Sequence, residues 1–390
     1  MLKIQTLNKI SPVGLELFPR EDYEVASEIP NPDAIILRSF KMHDMEIPQT
    51  LKAIGRAGAG VNNIPVEKCT QNGIVVFNTP GANANSVKEL VLMSMFVSSR
   101  KIYEGINWAK NLAGKGSEVP KLVEKGKSQF AGPEIRGKKL GVIGLGSIGV
   151  MVANDAEALG MEVSGFDPFI SVESAWGLSR SVKKAVSLDN LISESDYITI
   201  HVPLDDKTKG LINKDKFSLM KKNVRLLNFS RGGLVNNEDL KTALGEGTVA
   251  VYVTDFPDED LLDEPNVIPV PHLGASTPEA EDNCAVMAVN QVRNFLEYGN
   301  IKNSVNFPEC SMTPSANNRI IVANRNVPAM VGQITTILAE TGINIVDMLN
   351  RSRGDLAHNI IDCENGVSED VLTRIREIDG VIMTRLISIR

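Results

Sequence analysis

Cysteine is scarce and scattered in this chain of 390 residues. Cys69, Cys284, Cys310 and Cys363 form no Cys-x-x-Cys pair. Such usage gives no metal-site spacing and suits a reducing compartment, so four buried thiols, no metal and a cytoplasmic location are expected. Long apolar runs are missing as well. The longest, near Leu90 to Val97, is broken by Ser94, and Met1-Leu-Lys-Ile-Gln5 is not a basic region followed by an apolar core. Neither a membrane span nor export is expected. Positive charge is in deficit, with 41 Lys and Arg against 48 Asp and Glu and a pI near 5.4. Nucleic acid is thereby argued against as the main partner, because phosphate binding needs Lys and Arg clustered on one face. Any anionic substrate must be met by local cations. There is no internal repeat and no low-complexity tract. What remains, 43% hydrophobic, 23% charged and 5% aromatic, is an ordinary soluble globular composition. The length exceeds one compact core, so two or three domains are expected.

The fold class expected is α/β with a third, smaller unit. From Lys138 to about Pro271, short apolar strands alternate with helical segments: Leu140–Ile143, Glu162–Phe166, Tyr197–Val202, Val224–Asn228, Val249–Val253 and Val267–Val270. Near-continuous apolar strands are buried on both faces, which predicts a doubly wound parallel sheet of Rossmann type. Before it, Ala34–Leu37 and Ile74–Phe77 belong to a second α/β lobe. A helix from Ser86 to about Asn107 is expected to cross between the lobes. Another, from Thr277 to Tyr298, is expected to return to the first. This gives a discontinuous lobe (1–90 with 277–305), a nucleotide domain (91–276), a linker (306–318, within a Pro- and Asn-bearing stretch from Gly299 to Asn318) and a C-terminal unit (319–390). The order Arg319–Ala323, helix Pro328–Glu340, Ile343–Val346, Ala357–Ile361, helix Ser368–Ile378 and Val381–Leu386 is βαββαβ, the ferredoxin-like arrangement.

The most telling motif is Leu140-Gly-Val-Ile-Gly-Leu-Gly-Ser-Ile-Gly149. Gly144 permits a tight turn out of the strand, Gly146 lets backbone N–H groups approach a pyrophosphate, and Gly149 lets the next helix pack close with its positive end toward the anion. Asp167 ends the second strand, 18 residues beyond Gly149. A carboxylate there accepts both ribose hydroxyls and repels a 2′-phosphate, so NAD is favoured over NADP.

A dinucleotide domain suggests hydride transfer, which needs a proton acceptor, a cation for the substrate and a group that orients the base. Of four histidines, His272 directly follows the last strand, where ligands gather in such sheets. His201 also ends a strand and reads as structural, because Val202 and Pro203 beside it would form an apolar wall for adenine. His43 and His358 read as solvated or packing residues. Arg231, in Asn228-Phe-Ser-Arg-Gly-Gly233, can grip a carboxylate bidentately. Glu259 lies between the two and could fix the imidazole tautomer, although Asp255, Asp258, Asp260, Asp263 and Glu264 crowd the same loop.

With Ala57-Gly-Ala-Gly-Val-Asn-Asn63 and Asn78-Thr-Pro-Gly-Ala-Asn-Ala-Asn-Ser-Val87 added to these motifs, nearly the whole chain resembles the NAD-dependent D-2-hydroxyacid dehydrogenases. Within that superfamily it is most similar to the D-3-phosphoglycerate dehydrogenases carrying a C-terminal ACT domain. The resemblance implies a flavodoxin-like first lobe and oxidation of 3-phospho-D-glycerate to 3-phosphohydroxypyruvate, the first step of phosphorylated L-serine biosynthesis. It assigns catalysis to Arg231, Glu259 and His272. Aligning on Phe256-Pro257 selects Glu259, whereas aligning on the aspartate selects Asp260; the former is preferred. The implied cofactor set is Gly144, Gly146, Ser147, Ile148, Gly149, Asp167, His201, Val202, Pro203, Thr208, Asp255 (to the nicotinamide amide) and His272. The implied substrate set is Arg38, Ser39 and Lys41 for phosphate, the Gly60 and Val61 backbone for carboxylate, and Asn83, Arg231 and His272. Lys41 alone also reads as a surface charge. Asn326 and Asn344 match positions that bind L-serine between paired ACT domains. Two departures, Ala329 for the usual glycine and Asn324 for a histidine often found there, leave a purely dimerising role as the alternative. A homodimer or homotetramer is implied. The rival readings are a dehydrogenase for glycerate, lactate or 2-hydroxyglutarate, and an NAD-sensing interaction protein that does no catalysis.

Overall fold

The structure is a computed structural model that describes residues 1–364 and 366–389. The described residues divide into two compact units, Met1–Ala82 with Glu281–Arg390 and Asn83–Ala280.

In the first unit, β1 (Leu2–Leu7), β2 (Tyr23–Ala26), β3 (Ala34–Leu37), β4 (Ala53–Arg56) and β5 (Val75–Phe77) form a parallel sheet of order β2-β1-β3-β4-β5. That is the flavodoxin-like order, which puts the ends of β1 and β3 at its switch point. The run Ala-Ile-Ile-Leu of β3 is fully buried, as a central parallel strand requires. The helix Pro278–Tyr298 supplies Ala285, Val289, Val292 and Phe295 to the same core.

The second unit holds β6 (Lys139–Ile143), β7 (Glu162–Phe166), β8 (Lys183–Lys184), β9 (Tyr197–Ile200), β10 (Val224–Asn228), β11 (Val249–Thr254) and β12 (Val267–Pro269), all parallel, in the order β12-β11-β10-β9-β6-β7-β8. The sheet carries one strand more than expected, because β8 is a two-residue exposed edge with no apolar signature. The single helix expected from Ser86 to Asn107 is two, Ala84–Ser99 and Ile102–Lys110, broken at an extended Arg100. The cause is local. The Ser98 and Ser99 hydroxyls both bond the Met95 carbonyl, and Ser99 also pairs with the buried Tyr197 hydroxyl at 2.7 Å. Such side-chain bonds compete with the helical ladder.

The C-terminal part of the first unit has the anticipated βαββαβ order. Strands β13 (Asn318–Arg325), β14 (Ile345–Arg353), β15 (Leu356–Cys363) and β16 (Val381–Ser388) form an antiparallel sheet of order β14-β15-β13-β16. Helices Met330–Glu340 and Glu369–Arg376 cover one face through Ile334, Leu338, Leu372 and Ile375. The stretch read as a linker is packed. Phe307 and Cys310 are buried, and Asn306 bonds the Val76 N–H and the Ile74 carbonyl, occupying the open edge of β5. Arg319 and Asp362, both wholly buried, join in a bidentate pair at 2.6 and 2.9 Å. Arg319 also donates to the carbonyls of Tyr298 and Met312, and Asp362 accepts from Ser315. Four hydrogen bonds from the guanidinium and two further bonds to the carboxylate make so buried an ion pair tolerable. Although burial opposes its charge, the bonds from Arg319 and Ser315 hold the Asp362 carboxyl below its usual pKa.

Candidate active site

Every candidate residue of the second unit from Gly144 onward lies at or beyond the carboxyl end of a parallel strand. The glycine turn leaves β6 with Gly144 at φ +91°. A Cβ there would stand 2.7 Å from the His201 carbonyl, and one on Gly149 would stand 2.0 Å from the Gly144 carbonyl. Both positions therefore accept glycine alone. Gly146 differs, since a Cβ would meet nothing within 4 Å. Open space lies before the helix Ser147–Ala158, whose N-cap, Gly146, offers no side-chain acceptor. Ser147, Ile148 and Gly149 open that helix, and unsatisfied N–H groups facing a void fit a pyrophosphate.

At the end of β7, one Asp167 oxygen accepts from the Leu145 N–H of the glycine turn and the other from Phe169, both at 2.8 Å. The carboxylate thus braces the turn. Beyond β9, the His201 ring bonds Thr199 through Nε2 at 2.9 Å, while its buried Nδ1 has no partner among the described residues. Burial pushes its pKa down to about 3, so the ring is neutral. Val202 accepts from the Ser230 hydroxyl, and Thr208 donates to the Pro203 carbonyl at 2.6 Å, bracing that loop.

The proposed catalytic residues follow β10, β11 and β12, three adjacent strands. Arg231 is exposed, and its Nη1 donates to the neighbouring Ser230 carbonyl at 2.7 Å. The buried Asn228 closes its loop through the Arg231 carbonyl at 2.8 Å and the Ser230 N–H at 3.2 Å. His272 is exposed, at φ +52°, with its ring tilted 54° against Phe256 at 4.6 Å between centroids. Asp255 is 2% exposed. Its two oxygens accept from the N–H groups of Leu273 and Gly274 at 2.7 and 2.8 Å. Sequence reasoning gave Asp255 to the nicotinamide amide; in the structure its carboxylate clamps the loop that carries His272. Glu259 and Asp260 are exposed in the first turn of the helix Glu259–Leu262, and among the described residues no hydrogen bond joins either to His272. The geometry does not choose between them.

In the first unit, Arg38 and Ser39 follow β3, and Arg38 pairs with Glu281 at 2.5 Å. The Arg38 carbonyl accepts from Arg56 and Asn63. Lys41 is exposed. The Gly60 and Val61 loop is shaped by Asn78, which donates to the Ala59 carbonyl at 2.6 Å, and by buried Thr79, bonded to the Gly58 N–H at 2.7 Å. Asn83, the first residue of the second unit, opens the helix Ala84–Ser99 without a side-chain cap bond. Asn324 is buried, accepting from Asn359 at 2.7 Å, while Asn326 donates to the Gly354 carbonyl and Asn344 to Glu364. Sequence reasoning missed Glu281 and Asn228, and used Phe256 only to align its loop, without its tilted contact to the His272 ring. Asn228 and Phe256 stand inside the quoted motifs, but only the fold shows what they touch.

Residues 92–274 match the family model described as D-isomer specific 2-hydroxyacid dehydrogenase, NAD binding domain. The chain is 39% identical over 305 residues to a D-3-phosphoglycerate dehydrogenase of Archaeoglobus fulgidus, covering 75% of this chain and 54% of the relative. It is 31% identical over 355 residues to one of Haemophilus influenzae, covering 88% and 83%. With relatives from Synechocystis and Methanocaldococcus jannaschii at 61% and 63%, the chain spans roughly half to under two thirds of several curated relatives it matches. Among solved structures, the NAD+-bound 3-phosphoglycerate dehydrogenase of Entamoeba histolytica superposes with a TM-score of 0.61 at 26% identity, covering 78% of this chain and 98% of that one.

Proposed function

Because this chain belongs to the D-isomer specific 2-hydroxyacid dehydrogenase family, we propose that it oxidises 3-phospho-D-glycerate to 3-phosphohydroxypyruvate with NAD, the first step of phosphorylated L-serine biosynthesis. The observation that carries this reading is the placement of Arg231 and His272 beyond β10 and β12, which flank β11, in a sheet whose glycine turn keeps an open cradle at Gly146. When bound, NAD supplies the hydride acceptor. His272 is the base that takes the C2 hydroxyl proton, its ring held by Phe256 and its loop by Asp255. Arg231 holds the substrate carboxylate through two parallel hydrogen bonds and stabilises the developing carbonyl dipole. Glu259, with Asp260 as the alternative, supports the imidazolium. Gly60 and Val61 offer backbone N–H groups to the carboxylate, and Arg38, Ser39, Lys41 and Asn83 complete the substrate set.

The Arg38–Glu281 ion pair favours a second reading, a 2-hydroxyacid without phosphate, because a phosphate has to displace Glu281 from Arg38. We further propose a cytoplasmic homodimer or homotetramer, with L-serine as effector through Asn326 and Asn344. The buried bond from Asn359 to Asn324 supports a structural role for the latter. Purified protein assayed with NAD and a panel of 2-hydroxyacids, with and without L-serine, tests the substrate and effector readings. His272→Ala and Arg231→Ala should each lower turnover by about 10²–10⁴ while NAD still binds. Arg38→Ala should selectively impair phosphorylated substrates. Near-normal turnover in His272→Ala removes the mechanism, and equal losses on all substrates in Arg38→Ala remove the phosphate assignment.

A further inference from the structure

We propose that a groove along the helix Pro278–Tyr298 binds a small polyhydroxylated molecule, either a polyol or a sugar acid with one carboxylate. The groove is a cavity of about 540 Å³ whose polar lining includes Asn283, Asn290, Gln291, Asn294, Asn300 and Lys302. All of these belong to the first unit, outside the residues proposed for catalysis.

Three features identify the chemistry. Asn283, Met287, Asn290 and Asn294 are spaced i, i+4, i+7 and i+11, so they form one stripe of the helix. The carboxamides on that stripe are exposed and line the cavity together with Met287 and Val286. The second feature is Gln291, which is only 8% exposed. Its Nε2 and Oε1 are both buried, and neither has a hydrogen-bond partner among the described residues. An unpaired buried amide is destabilising, a cost that a leucine of similar size would avoid. An amide kept there points to a partner arriving from outside the chain. The third is charge. Lys302 is the only charged side chain among the described lining residues. Carboxamides present a donor and an acceptor side by side, which is the complement of adjacent hydroxyls. They offer nothing to offset a multiply charged ligand, so a single carboxylate at Lys302 is the most charge the site accepts. Val286 and Met287 give the C–H face of a polyol an apolar surface. The rim is already ordered, since Asn300 donates to Asn294 at 3.1 Å and accepts from the Met312 N–H at 3.1 Å.

The protein is titrated calorimetrically with myo-inositol and with D-gluconate. His272→Ala serves as the control that separates this groove from the proposed catalytic site. Both probes should bind wild type and His272→Ala alike. Gln291→Leu should weaken both at least tenfold, leave turnover unchanged and unfold at or above the wild-type temperature. Asn290→Ala, on the exposed stripe, should weaken both with no change in fold. Lys302→Ala should weaken only D-gluconate. The proposal is overturned by no heat from either probe in the millimolar range or by unchanged binding in Gln291→Leu. It is equally overturned if that variant melts several degrees lower, which makes the amide structural, or changes oligomeric mass, which makes the stripe a protein interface.

Discussion

Replacing Asp255 by Asn tests whether the His272 loop is held by a buried carboxylate. Two backbone donors, Leu273 at 2.7 Å and Gly274 at 2.8 Å, meet the two oxygens of a side chain that is 2% exposed. Hydrogen bonds to a charged acceptor contribute about 1.5–3 kcal/mol each. Asparagine keeps one acceptor and turns an NH₂ toward the other N–H, so one bond is lost and two donors are buried face to face. Together these disfavour the native loop by about 2–4 kcal/mol. Little slack exists to absorb the change, since even a Cβ on Gly274 would lie 2.9 Å from Asp255 Oδ2. A base displaced by about 1 Å costs on the order of 10² in rate. The expected result is kcat down about 10²-fold with a KM for NAD within about threefold of wild type, because the base is displaced while the cofactor cradle is untouched. Steady-state kinetics measure both. A kcat within about threefold of wild type would show that the clamp does not position the base.

Three further outcomes are expected. Ala329 sits at φ +68°, ψ 0° before the helix Met330–Glu340, a left-handed conformation strained for a residue with a Cβ. Ala329→Gly should therefore stabilise the fold by about 0.5–1 kcal/mol after the glycine's greater unfolded entropy is subtracted, and a lower denaturant midpoint would refute it. Burial pushes His201 down to about 3 and His358 to about 4, from 6.5. The unfolded chain therefore binds more protons below pH 6.5 than the native one does. Stability should be full above pH 6.5 and fall toward pH 5 by up to about 1.4 kcal/mol per unit per histidine. Denaturant midpoints measured from pH 8 to 5 check this, and a flat profile counts against neutral buried rings. Gly149→Ala places a Cβ 2.0 Å from the Gly144 carbonyl, so NAD affinity should fall at least about tenfold. Titration with NADH, which fluoresces and carries the same pyrophosphate, reads the change, and unaltered affinity would remove the proposed pyrophosphate cradle.

Most strands were legible because a parallel sheet demands near-continuous burial, and Ala34–Leu37, Glu162–Phe166 and Val224–Asn228 are found with those bounds. The edge strand Lys183–Lys184 was not, since an exposed pair of lysines carries no apolar signal. The break at Arg100 was also hidden, for it depends on the Ser99 hydroxyl meeting Tyr197, 98 positions away. In the candidate site, residues with rare chemistry stood out: Gly144, Asp167, Arg231 and His272. The acid partner did not, because Glu259 and Asp260 are neighbours of one residue type at an exposed helix start.

Local pattern alone therefore determined what repeats or terminates: the glycine turn, the parallel run of buried strands and the βαββαβ order. Each of these rests on backbone geometry within a few residues. Tertiary structure alone decided how charge is used. It put Asp255 under the His272 loop, Glu281 on Arg38, and Arg319 against Asp362, 43 positions apart. The worth of a charge depends on the dielectric and the partners that folding brings to it, and no spacing in a linear chain encodes either.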